Sequence, residues 1–235
     1  MGVAYNPRIV TNGLVLALDA GNAKSYPGSG TTWYDLSGNK YIFTSNNAPT
    51  FATDNLGNKC FEFTGAGKFF DSTTNSPFSG NQFAITVTAI VNQFSTGAFY
   101  SILTQNEQDT NDSMAFVSLN GKFGTDHWNP GGRQLSTIAN NNQIYHVTWT
   151  ILNWQNHQTT DTKIYLNGIE QNTESYSVDT VGNLVSRPFR IGNWQLNRTD
   201  MDFQGRIYGI SVYNRVLSAA EIKQNFNATR GRYGI

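Results

Sequence analysis

The sequence has 235 residues, of which 38% are hydrophobic and 13% aromatic; this is enough for a packed core and unlike a disordered chain. Basic and acidic residues number 16 each, so the formal net charge is zero and no long-range field attracts phosphate backbones or anionic lipid. Nucleic acid and membrane surfaces are therefore not expected as partners, and no apolar run approaches the roughly 20 residues that span a bilayer.

The predicted strands are short and amphipathic. Apolar and polar residues alternate in Phe83–Asn92 and Tyr145–Ile151, a pattern typical of half-buried strands in an antiparallel sheet. Asn120-Gly121 and Asn167-Gly168 predict tight hairpins between strands. The other predicted strands are Leu14–Asp19, Lys59–Phe63, Ala98–Thr104, Met114–Leu119, Thr162–Leu166, Phe189–Ile191 and Arg206–Tyr213. Such strands without βαβ alternation predict one all-β sandwich or barrel.

The sequence also predicts whether two side chains in these strands are buried or exposed. Cys60 is predicted to be a buried small hydrophobe, and as the single cysteine it forms no internal disulfide. His146 shares the polar strand face with Thr148 and Thr150 and is predicted to be exposed.

One helix is predicted near the end of the chain. Ser218 and Glu221 have the spacing of a capping box, in which each residue satisfies a backbone N–H of the other. Ile222 and Phe226 then lie one turn apart on the same face, and Gly231 is a candidate terminator. We expect a short helix that closes one opening of the sandwich.

The closing segment resembles a known family. Phe203–Ile222 reads FQGRIYGISVYNRVLSAAEI, which resembles the last strand and helix of concanavalin A-like (laminin-G-like) jelly rolls. Tyr145–Ile151, Lys163–Gly168 and Phe189–Trp194 resemble the same family in order and spacing. The resemblance implies an all-β, two-sheet antiparallel jelly-roll β-sandwich with one short C-terminal helix over residues 11–235, preceded by an extended N-terminal arm over residues 1–10. Gly205 is expected where two backbones approach closely.

Three other stretches of the sequence resemble proteins of one biological source. Pro7–Asn22, Trp33–Asn39 and Asn225–Ile235 resemble jelly-roll modules in structural proteins of tailed bacteriophages. This implies a stand-alone virion surface protein, made in the host cytoplasm without a signal peptide. Its partners would be other virion proteins (capsid or tail subunits) and cell-surface glycans. A homo-oligomer is compatible with this role, although nothing in the sequence requires one.

The sequence predicts no enzyme. Glucanases of this fold carry E-x-D-x-x-E on one strand, which places two acids on a common face, and this motif does not occur. The three histidines do not have metal-ligand spacing such as H-x-x-x-H. Two interpretations besides the virion protein stay open: a lectin whose main role is saccharide recognition and, as the weakest alternative, a glucan hydrolase.

A glycan site combines an aromatic platform with amide and carboxylate groups, because sugars offer a stackable C–H face and a rim of hydroxyls. The glycine-rich loop Thr125–Arg133 is the first candidate, and two segments that begin at tryptophans are the second. The alternative for each tryptophan is packing over an end of the sandwich. The predicted glycan-binding residues are Asp126, His127, Trp128, Asn129, Arg133, Trp154 and Trp194.

Calcium is a further possibility that the family resemblance raises. Asp112–Gly121 resembles the strand that follows a calcium-binding aspartate in laminin-G-like modules. The candidate ligands are Asp109, Asp112, Asp200 and Asp202. Calcium takes about six to eight oxygens, and the sequence does not supply such a set. The expectation is therefore no cofactor, with Ca²⁺ left open.

Overall fold

A computed structural model of the chain describes residues 8–45, 47–95, 99–105, 113–127, 131–194 and 199–235. The first strands are β1 (Leu14–Asp19), β2 (Thr32–Tyr34), β3 (Ile42–Thr44), β4 (Thr50–Thr53), β5 (Lys59–Phe63), β6 (Phe70–Asn75), β7 (Ile85–Gln93) and β8 (Phe99–Gln105). The next are β9 (Met114–Leu119), β10 (Lys122–Asp126), β11 (Gly132–Leu135), β12 (Ile144–Ile151), β13 (Thr162–Leu166), β14 (Ile169–Glu170), β15 (Thr173–Ser177), β16 (Pro188–Ile191) and β17 (Gly205–Tyr213). Helix α1 (Ala219–Tyr233) follows β17.

The strands form two antiparallel sheets that face each other, as the sequence predicted. One sheet has eight strands in the order β14-β13-β12-β7-β17-β5-β4, with β1 also paired to β17. The other has nine strands in the order β15-β11-β10-β9-β8-β16-β6-β3-β2. All named strand pairs are antiparallel, so the all-β sandwich with a C-terminal helix is confirmed.

The core between the sheets is built from the apolar faces that the alternation identified. Val87 and Val91 of β7, and Val147 and Trp149 of β12, are fully buried. Trp149 meets Phe116 of the opposite sheet with ring centroids 5.6 Å apart. Many of the other core residues are aromatic, and each removes a large apolar area from water.

Two predicted hairpins have the geometry expected of their residues. Asn120 and Gly121 have φ values of 48° and 77°, and Asn167 and Gly168 have 52° and 75°. Positive φ at both central positions matches the right-handed twist of the paired strands, and Asn and Gly tolerate it best. Cys60, predicted to be buried, has no exposed surface.

Helix α1 begins as predicted and ends later. Ser218 Oγ accepts a hydrogen bond from the backbone N–H of Glu221, whose carboxylate accepts from the N–H of Ser218, so the capping box is present. The helix passes through Gly231 and stops at Gly234, which has a left-handed φ of 68°. The prediction that Gly231 ends the helix is therefore wrong. Tyr233 extends it because its ring packs at 5.4 Å on Tyr208.

The position of α1 corrects two further predictions. The helix lies on the outer face of the eight-stranded sheet, where Ile222 packs with Tyr165 and Tyr213, and it does not close an opening of the sandwich. His146, predicted to be exposed, lies beneath it, with its ring 5.7 Å from that of Phe226 and only 1% of its surface exposed. The polar strand face is covered because the helix forms a third layer.

Candidate functional site

Two of the three segments proposed for glycan binding meet at one end of the sandwich. His127 follows β10 and His157 follows β12, and Nε2 of His157 lies 3.1 Å from Nδ1 of His127. The Trp154 ring stacks on that of His157, with centroids 4.3 Å apart and planes 6° apart. We name Asp126, His127, Trp154 and His157 the histidine cluster.

Hydrogen bonds within the histidine cluster suit neutral imidazoles. Nδ1 of His127 lies 3.1 Å from the carbonyl of Gly131, and Nδ1 of His157 lies 2.9 Å from Oγ1 of Thr125. An Nδ1–H on His157 can donate to Thr125, and a single Nδ1–H on His127 can donate either to the Gly131 carbonyl or to Nε2 of His157. Burial lowers the pKa of His127, and burial together with the neighbouring His127 places the pKa of His157 well below its usual value. The imidazoles of His127 and His157 are therefore neutral at pH 7.

The histidine cluster offers little surface to a sugar. Asp126 is 4% exposed, and His127, His157 and Trp154 are fully enclosed. Phe83 stacks parallel to Trp154 on another side, at 6.1 Å. Arg133 is half-buried and donates to Oγ1 and the carbonyl oxygen of Thr173. The predicted residues Trp128 and Asn129 lie outside the described residues.

Trp194 lies apart from this cluster. It packs on the outer face of the nine-stranded sheet, against Ala115 and Val117, with its ring 5.5 Å from Phe99. Only 1% of Trp194 is exposed, so in this structure it supports the sheet rather than presenting a platform.

The described members of the predicted calcium set are Asp200, which is exposed, and Asp202, which is buried. The carboxylate of Asp202 accepts hydrogen bonds from the backbone N–H of Gly67 (2.6 Å) and from the amide of Asn193. Burial raises the pKa of Asp202, and these bonds oppose the increase. Asp109 and Asp112 lie outside the described residues. Within the described ranges no three His, Cys, Asp or Glu side chains form a group that could hold a metal ion.

A different surface has the composition expected of a saccharide site. An open groove of about 690 Å³ crosses the outer face of the eight-stranded sheet at the end opposite the histidine cluster. Its volume falls within the roughly 300–1,000 Å³ typical of ligand pockets. We name it the amide groove, because Asn55, Asn92, Asn142 and Gln143 line it together with Phe94, Arg206, Tyr208 and Asp54.

Strand register builds the floor of the amide groove. Asn92 of β7 pairs with Ile144 of β12 on one side and with Arg206 of β17 on the other. The guanidinium of Arg206 lies 5.0 Å from the centroid of the Phe94 ring and donates through Nε to Glu62 at 3.0 Å. That contact holds the guanidinium at the edge of the groove.

The acid that lines the amide groove has a structural role. Asp54 accepts hydrogen bonds from the backbone N–H and side-chain amide of Asn58, from the backbone N–H of Leu56 and from the hydroxyl of Tyr208. Burial raises the pKa of Asp54, but these bonds outweigh it and the pKa is lowered. An ionised, fully bonded carboxylate is not a general acid. Hydrolysis of a glycosidic bond needs a second acid that is protonated, and Asp54 is the only carboxylic acid side chain among the described residues lining the groove.

Sequence reasoning missed the amide groove, although a signal was present. Asn140–Gln143 is a run of four amides directly before a strand. Asn92 and Arg206 interrupt the apolar and hydroxyl pattern at the matching ends of two other strands. Only the register, which the sequence does not reveal, brings the three together.

Fold and groove together define a lectin-like β-sandwich. A family model of the concanavalin A-like lectin/glucanases superfamily matches residues 64–223, well over half of the chain. The chain belongs to this superfamily, which confirms the family resemblance. A search of curated proteins gave no match. None of the helices described is long and apolar enough to cross a membrane.

Solved structures share the fold at low identity. The binding domain of botulinum neurotoxin serotype D is 14% identical with a TM-score of 0.62, over 94% of this chain and 52% of that chain. The binding domain of Paraclostridial Mosquitocidal Protein 1 is 15% identical with a TM-score of 0.59, over 92% and 52%. A Trypanosoma rangeli sialidase mutant displaying trans-sialidase activity is 17% identical with a TM-score of 0.59, over 97% and 34%. The chain thus spans about a third to a half of these structures, and the likeness concerns the fold.

Proposed function

We propose that the chain is a non-enzymatic glycan-binding module on the surface of a virion and that the saccharide lies in the amide groove. The observation that carries the proposal is the juxtaposition of Asn92, Asn142, Gln143 and Arg206 in one open groove. Sugar hydroxyls both donate and accept hydrogen bonds, and amides offer both functions at fixed positions. Arg206 adds donors, and Phe94 adds an apolar surface.

The second support is the fold. Two of the structural neighbours are the binding domains of a neurotoxin and of a mosquitocidal protein, and a third is a sialidase. A single hydrogen-bonded acid in the groove favours binding over hydrolysis. Incubation with laminarin and related glucans is expected to release no reducing ends, and their appearance would favour the hydrolase alternative.

Arg206→Ala is expected to weaken glycan binding about tenfold or more, because a hydrogen bond from a charged donor is lost. The wild-type chain is first screened on an array of bacterial and animal glycans, and the best ligand is then titrated by calorimetry. Arg230→Ala is the matched control, because Arg230 is an exposed arginine on α1. The groove is excluded as the binding site if Arg206→Ala and wild type bind equally, and glycan binding itself is excluded if the array stays blank.

The virion role rests on the sequence resemblance and on the predicted arm, residues 1–10. The described end of this arm is held by α1 and β17: Val10 N–H donates to Oδ1 of Asn225 at 2.8 Å, and the Val10 carbonyl accepts from the Tyr213 hydroxyl at 3.0 Å. Arg8 offers its carbonyl to Gln224 at 2.7 Å. A deletion that tests docking should therefore stop before residue 8.

Deleting residues 1–7 is expected to abolish attachment to virus particles while the module stays folded and keeps its glycan affinity. Particle occupancy is measured by low-resolution imaging of intact particles, and folding by thermal unfolding. Unchanged occupancy would exclude docking through the arm. Full-length protein that never associates with particles would exclude the virion role and leave the lectin interpretation in place.

A further inference from the structure

A second cavity lies under α1, away from the amide groove. It has a volume of about 330 Å³ and is bounded by α1, by the N-terminal segment at Ile9 and by the outer face of β1, β7, β12 and β17. Leu14, Ile90 and Tyr213 supply apolar wall. We name it the helix cavity. An engineered apolar cavity of about 150 Å³ already binds benzene, so this space suits a molecule larger than one aromatic ring.

Charge at the helix cavity is confined to one ion pair. Nη1 of Arg232 donates to Oδ2 of Asp19 at 2.7 Å, and Oδ1 of Asp19 accepts from the Gly21 N–H at 2.8 Å. The other described lining residues are apolar or neutral at pH 7. Transfer of an ionised group into this cavity would cost several kcal/mol without a free countercharge, so the cavity selects an uncharged ligand.

One lining side chain needs a hydrogen-bond partner. His146 lines the cavity and is about 99% enclosed, and its Nδ1 has no partner in the described parts of the chain. Burial lowers the pKa of His146 to about 4, so its ring is neutral at pH 7 and offers one donor and one acceptor. Three neighbouring polar side chains are paired, through the 3.0 Å contact of Thr88 with Thr148 and the 3.0 Å bond from Asn225 to Tyr213.

We propose that the helix cavity binds a small uncharged amphiphile, of the size of an alkylphenol, whose hydroxyl pairs with the His146 imidazole. The hydrocarbon part packs against Leu14 and Ile90. A hydroxyl beside an unpaired buried imidazole gains a hydrogen bond that a hydrocarbon of the same shape cannot make. This site is independent of the amide groove.

A pair of probes that differ by one hydroxyl tests the site. We expect 4-propylphenol to bind the full chain at pH 7 about tenfold more tightly than propylbenzene, measured by ligand-detected NMR titration. In His146→Leu the two probes are expected to bind alike. Equal affinities in the wild type, or no binding of either probe, would overturn the proposal.

Ser211→Leu tests the location without removing a buried polar group. Ser211 lines the helix cavity and is half-buried, so a leucine there fills the space. Both probes are expected to lose binding in this variant. Ser136→Leu, on an exposed position outside the cavity, is the matched control and should bind like wild type. Retained binding in Ser211→Leu would place the probes elsewhere and refute the helix cavity as their site, even if His146→Leu fails to fold.

Discussion

Acidification from pH 7 to pH 5 is expected to lower the free energy of unfolding by about 2 kcal/mol through His146 alone. Burial lowers the pKa of His146 to about 4 in the folded chain, whereas an unfolded histidine titrates near 6.5. Between these values the unfolded chain binds a proton that the folded chain excludes. Stability is therefore complete above pH 6.5 and falls as the pH decreases toward 4.

His127 and His157 add to the effect in the same direction. Both have lowered pKa values, because burial disfavours the charged imidazole; Asp179 partly opposes this at His127. If both rings were protonated, two N–H groups would face each other across the 3.1 Å contact between Nε2 of His157 and Nδ1 of His127, and two donors cannot share that contact. All three histidines of the chain thus resist protonation.

Two carboxylates with shifted pKa values affect the acid dependence differently. Arg215 and the Ser218 contacts lower the pKa of Glu221 to about 2, so its contribution is lost only as the pH falls below the usual glutamate range. Asp202, with a raised pKa, acts in the opposite direction. Urea unfolding at pH 7, 6 and 5 measures the sum.

His146→Gln provides the control for the acid effect. Glutamine does not titrate, so this variant should lose the His146 share of the pH dependence even if it is less stable at pH 7. The same urea midpoint at pH 7 and pH 5 in the wild type would contradict the burial of three neutral histidines.

Local patterns in the sequence were sufficient for the two sheets. The alternation in β7 and β12 is imposed by a core on one side, and a period of two is a property of the strand itself. The hairpin at Asn167-Gly168 could be predicted for a similar reason, because the turn depends only on the φ values of its own two residues. Neither feature requires knowledge of distant segments.

The features that the sequence did not reveal depend on distant segments. His146 alternates like an exposed residue, and it is buried because Phe226 covers it from a helix far along the chain. Asn92 and Arg206 are neighbours only through the register of β7 and β17. The candidate site is harder to predict than the fold because strand ends and a third layer supply its residues. Neither feature produces a repeating pattern in the sequence.

A substitution at Gly205 tests the register of β7 against β17. A Cβ at Gly205 would lie 2.2 Å from the carbonyl oxygen of Asn92 and 3.0 Å from Cα of Gln93, so the backbones of β7 and β17 would have to separate. Gly205→Ala is expected to lower the free energy of unfolding by about 3 kcal/mol, as overpacking of a closed contact does. The measurement is urea unfolding at pH 7.

Gly231→Ala is the matched control for this substitution. Gly231 lies on the exposed side of α1, and a Cβ there meets no atom within 4 Å. Alanine should therefore stabilise the chain by about 0.5–1 kcal/mol through its higher helix propensity. An unchanged midpoint in Gly205→Ala would show that β7 and β17 do not approach as closely as described here. Asn92 and Arg206 form the floor of the amide groove only while that approach holds, so Gly205→Ala should also weaken glycan binding more than its loss of stability explains.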